Sequence, residues 1–69
     1  MPLAMVDLGR EGTIIKVRGK EETRKFLENL GFVTGATVTV IASMGGNVIV
    51  NIKESRIAIS REMAMKIMV

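Results

Sequence analysis

The chain has 69 residues with ten basic and seven acidic side chains, a net charge of +3, and so makes one domain spanning 1–69 with no room for a second. It has neither cysteine nor histidine, which excludes disulfides, thiolate metal sites and the imidazole that is the commonest general base and transition-metal ligand. Hydrophobic residues make up 48% of it, enough for the dense core so short a chain needs, yet no apolar run approaches the roughly 20 residues of a membrane span. Met1-Pro2-Leu3-Ala4-Met5 lacks the basic segment of a secretory signal. The expectation is a soluble, cytoplasmic protein without direct membrane insertion.

Glycines punctuate the chain at Gly9, Gly12, Gly19, Gly31, Gly35 and the pair Gly45-Gly46. Thr13 to Arg18 reads as a first strand, with Thr13, Ile15 and Val17 on one face and Ile14, Lys16 and Arg18 on the other. A helix follows from about Lys20 to Leu30, with Thr23, Phe26, Leu27 and Leu30 on one face. Glu21 and Glu22 favour its first turn, and Glu21 precedes Lys25 by the spacing of a helical ion pair. Gly31 suits the left-handed position past its end, and Phe32 then folds back on Leu27.

Thr37 to Ser43 is β-branched and strand-like, and Val48, Val50 and Ile52 alternate with Asn47, Ile49 and Asn51. Gly45-Gly46 between them supplies the positive φ of a tight hairpin. Arg56 to Ile59 is a further short strand. Ser60 caps a helical turn with Glu62 inside it. The segment beyond either continues as helix or, as closure of a sheet edge favours, returns as a closing strand with Ile67 and Val69 inward. The fold class is mainly β: a small barrel of about five antiparallel strands with one inserted helix and a short C-terminal helical turn.

Met1-Pro2-Leu3 with Asp7-Leu8-Gly9, Gly12-Thr13-Ile14-Ile15, Leu30-Gly31-Phe32, Gly35 with Val38-Thr39-Val40, and Arg56 through Ala64 closing on Ile67-Met68-Val69 form an ordered set over nearly the whole chain. That set resembles the FeoA family of small ferrous iron transport accessory proteins. Thr34 departs from the proline usual in the family's loop before Gly35. The resemblance implies an SH3-like barrel, and as partner the FeoB-type membrane ferrous iron transporter with its cytosolic GTP-binding domain, modulated by contact.

No chemical apparatus is visible in the residues. The carboxylates Asp7, Glu11, Glu21, Glu22, Glu28, Glu54 and Glu62 are scattered, and without histidine they read as solvated charge rather than an iron site. Met63, Met65 and Met68 have the thioether chemistry of a Cu(I) site, but methionine is also the usual filler of irregular cores, and packing is the better reading. No nucleophile has a base beside it and no glycine loop opens a helix in the phosphate-cradling pattern. The expectation is a non-enzyme with no cofactor.

Lys16, Arg18, Lys20, Arg24 and Lys25 cluster in sequence and could contact phosphate. Single-strand binders stack bases on aromatic rings, and the two phenylalanines, Phe26 and Phe32, are assigned to packing, so nucleic acid is the lesser reading. A second alternative is a self-associating domain. The partner-binding candidates are Ile14, Lys16, Arg18, Arg24, Phe32, Val33, Met44 and Ile49. On this reading Ile14 and Val33 face outward, and glutamate at either spares folding while weakening partner binding.

Overall fold

The computed structural model describes residues 1–69. After a 3-10 turn at Leu3–Met5 come β1 (Glu11–Thr13), β2 (Lys16–Val17), α1 (Glu21–Asn29), β3 (Thr37–Met44), β4 (Asn47–Ile52), β5 (Ser55–Ser60), α2 (Arg61–Ala64) and β6 (Ile67–Met68). An antiparallel sheet runs in the order β1-β3-β4-β5, and β2 pairs with β6 in a second, two-stranded sheet. Counting β1 and β2 as one interrupted strand restores the five strands expected from the sequence.

That interruption corrects the facing read from the sequence. Through Thr13 the chain is in register with β3. Ile14 then donates to the Ala36 carbonyl at 2.9 Å and accepts from the Gly35 N–H at 2.8 Å, whereas the Ile15 N–H turns to the Met68 carbonyl at 2.8 Å. The strand thus changes partners between these two residues, and its alternation resets. Ile14 is 1% exposed and Ile15 61% exposed, the reverse of an unbroken alternation. Thr13 is exposed too, and only Val17 keeps its expected inward side.

The α1 stop follows its sequence signals. Gly31 takes φ +108°, its N–H bonds the Glu28 carbonyl at 2.9 Å, and the Phe32 N–H reaches the Leu27 carbonyl at 3.0 Å. Those are the two bonds of a Schellman ending, and they drive the Phe32 ring into the core, where it is wholly buried. The expected Glu21–Lys25 pair forms at 3.2 Å on the exposed side. Phe26 is corrected: it is half exposed. At 100° per residue it stands farthest from buried Leu27 among the four residues of the expected apolar face, at the rim of the stripe.

Gly45 and Gly46 both take positive φ and join β3 to β4 in a two-residue turn flanked by the Met44–Asn47 pair. A bulge at Ile41 carries the register from Val40–Val50 to Ala42–Ile49, which sets Ala42 on the same face as Ile49. The β4–β5 turn uses Lys53 and Glu54, with Lys53 at φ +55°. The core gathers Leu3, Ile14, Leu27, Phe32, Val38, Val40, Val48, Val50, Ile52, Ile59, Ala64 and Ile67.

After α2 the chain returns as the closing strand β6. Ile67 is buried, and Val69 packs against the core. The Ser60 hydroxyl accepts from the Met63 N–H at 3.1 Å, capping α2 as its position suggests. Ser60→Ala should cost about 1 kcal/mol of unfolding free energy, read as a lower urea midpoint at unchanged slope.

Candidate partner-binding surface

The eight expected surface residues divide three ways. Ile14 and Phe32 are core residues, so neither offers a side chain to a partner. Met44, at the hairpin tip, and half-buried Ile49 lie on the outer face of the four-stranded sheet, since residues directly opposite share a face. Lys16, Arg18, Arg24 and Val33 are exposed around the β2–β6 sheet and α1.

The β2–β6 pairing organises this last group. Lys16 is opposite Met68, and the Arg18 N–H bonds the Lys66 carbonyl at 2.7 Å. Lys66 lies along Gly19 with its aliphatic chain, so closely that a Cβ on Gly19 would stand 3.3 Å from the lysine Cδ and 3.8 Å from the Thr23 Cβ. Phe26 follows Thr23 by one turn of α1. At the other end, the Thr34 hydroxyl donates to the Ile15 carbonyl at 3.3 Å, bringing the 33–34 loop, with Val33 at 38% exposure, beside Ile15.

Around the β2–β6 pair, Lys16, Arg18 and Lys66 thus follow one another along the ribbon, with exposed Ile15 and Val33 beyond the Lys16 end and exposed Phe26 beyond the Lys66 end. Lys25–Glu21 is the single ion pair between side chains, so these three cations have no carboxylate within pairing distance. Lys20 and Arg24 add charge at the start of α1, diluted by Glu21 and Glu22.

Sequence reading missed Ile15, Phe26 and Lys66. Ile15 carried no signal, because the change of strand partners is invisible in residue types. Phe26 was detectable in principle from its angular distance to Leu27. Lys66 joins Lys16 and Arg18 only through the long-range β2–β6 pairing.

An open groove of about 510 Å³ lies beside the paired termini, past Met1, Met5, Val6, Asp7, Arg10, Glu11, Gly12 and Val69. None of the expected partner residues lines it. No three His, Cys, Asp or Glu side chains come together where they could hold a metal ion. Met63 is partly buried against the core as expected, but Met65 is 42% exposed. No helix is long and apolar enough to cross a membrane.

Strand order, the interrupted first strand and the helical turn before the closing strand define a small barrel of the SH3-like kind. The chain belongs to the FeoA domain family, whose model matches residues 1–69. It is 38% identical over 68 residues to a protein of Methanocaldococcus jannaschii provisionally named Fe(2+) transport protein A, covering 99% of this chain and 83% of that one. A crystal structure of an iron uptake regulatory protein, FeoA, superposes with a TM-score of 0.87 at 30% identity, over 96% of this chain and 88% of that chain. The Stenotrophomonas maltophilia FeoA, described as a prokaryotic SH3 domain protein and crystallised with zinc, shares the fold with a TM-score of 0.86 at 23% identity, over 99% of this chain and 87% of that one. Membership places the chain in ferrous iron transport.

Proposed function

We propose that this protein is a cytosolic accessory of ferrous iron uptake that acts by binding a FeoB-type membrane transporter, without chemistry of its own. Family membership over the full length carries the reading, and iron is then the transporter's cargo. The exposed apolar residues Ile15, Val33 and Phe26 and the cations around the β2–β6 pair support the reading. Exposed apolar anchors give affinity once desolvated, and unpaired cations between them steer an acidic partner surface.

The test is titration of this protein against the transporter's cytosolic GTP-binding region, with and without nucleotide, and against the full-length transporter in detergent. Saturable binding that weakens as salt rises is expected, because the cations act through a screened field. Val33→Glu should leave the fold intact and weaken that binding. Absence of binding to either transporter form by a folded protein overturns the proposal.

A further inference from the structure

β5 closes one side of the four-stranded sheet and pairs only with β4. No backbone group of Ser55–Ser60 bonds a segment on its other side. Ile52 and Ser55 flank the two-residue Lys53-Glu54 turn, so that pair and every second pair beyond it exchange bonds with β4. The N–H and C=O groups of Arg56 and Ala58, with the Ser60 N–H, therefore point away from the sheet. Such a row is a template for another strand.

We propose that this edge pairs with the same edge of a second copy, antiparallel, about a twofold axis at Ala58. In that register Ala58 exchanges two bonds with Ala58 of the second copy. Each Ser60 N–H donates to the opposing Arg56 carbonyl, for about four bonds in all.

Side chains on the outer face select this register. Across the sheet Ala42, Ile49 and Ala58 form one row. An axis at Ala58 continues that row into Ala58, Ile49 and Ala42 of the second copy, unbroken by charge. Centring on Arg56 sets two guanidinium groups opposite each other, and centring on Ile57 sets Arg56 against Ala58. With the axis at Ala58, Arg56 instead faces the small, neutral Ser60. On the core face Ile57 meets Ile59.

A six-residue strand spans only about 20 Å and buries less than the roughly 1,200 Å² of a stable interface. Each copy also keeps its own core. The dimer is therefore a concentration-dependent one.

Sedimentation of the full chain over a concentration series tests this. The weight-average mass should climb toward twice the monomer value. Ala58→Pro removes the N–H at the axis, which β4 does not use, and proline is tolerated at a sheet edge. That variant should unfold as the wild type does and stay monomeric throughout.

Because the chain has no cysteine, single-cysteine variants report the register directly. Ala58→Cys should form a covalent dimer under mild oxidation, since opposed Cα atoms about 5.5 Å apart can be bridged. Thr37→Cys, exposed at the far side of the sheet, should not. Should Ala58→Pro fail to fold, the two cysteine variants decide alone. A wild type that remains monomeric, a proline variant that dimerises equally, or equal cross-linking at both positions overturns the proposal. Loss of transporter binding in Ala58→Pro, with a monomeric wild type, would assign the edge to the transporter and overturn it too.

Discussion

Ile14→Glu should yield no folded protein, while Ile15→Glu, one residue on, should fold normally. Ile14 is enclosed in the core with both backbone groups bonded to the 35–36 segment. Its replacement forfeits about 2–5 kcal/mol of apolar packing and adds the desolvation of a carboxylate without a partner, several kcal/mol more. That sum is comparable with the roughly 5 kcal/mol a single core supplies to so small a domain. Loss of amide dispersion in a proton–nitrogen spectrum and of a cooperative melt is the expected readout. Ile15→Glu changes an exposed side chain and should shift stability by no more than about 0.5 kcal/mol. It should nevertheless weaken transporter binding about tenfold, the effect of losing an interface residue worth over 1 kcal/mol. A folded Ile14→Glu protein would refute the placement of the strand crossover. Unchanged binding by folded Ile15→Glu would remove this residue from the candidate surface.

Phe32→Ala should lower the unfolding free energy by about 3–5 kcal/mol, the range for emptying an aromatic site in a core. The backbone N–H that closes α1 on Leu27 survives the substitution, so the loss reports the ring and not the helix stop. Phe26→Ala should cost under about 1 kcal/mol, because the half-exposed ring surrenders little buried area. Urea unfolding of the two variants side by side measures the difference. Similar losses at both positions would contradict the assignment of one ring to the core and the other to the surface.

Several elements could be read from residue types because the physics that forms them is local. The Gly31-Phe32 ending needs only a glycine free of Cβ strain and an apolar residue after it. The Gly45-Gly46 hairpin and the Ser60 cap rest on equally short-range geometry. The Lys53-Glu54 turn escaped notice for the converse reason. Neither residue favours a left-handed backbone, and the turn forms where β4 and β5 pair on either side of it.

The candidate surface was legible only in fragments. Lys16, Arg18, Arg24 and Val33 were found as exposed residues, whereas Ile14 and Phe32 were assigned to a surface they do not reach. One error at the Ile14–Ile15 crossover accounts for the first misplacement, since a change of phase reverses every facing on one side of it. Phe32 is a different case: the same folding-back on Leu27 that ends the helix takes its ring out of reach.

The sequence by itself determined the helix and its stop, the glycine hairpin, the alternation of Val48, Val50 and Ile52 with Asn47, Ile49 and Asn51, and the ordered motifs of the FeoA family. Each depends on neighbours a few residues apart or on the order of residues along the chain. Tertiary structure alone decided where the first strand changes sheets, which of two adjacent isoleucines is buried, how Lys66 joins Lys16 and Arg18, and that β5 has an open edge. Those features depend on pairings between residues far apart in the chain. A strand's facing follows the partner it bonds, and residue type alone does not name that partner.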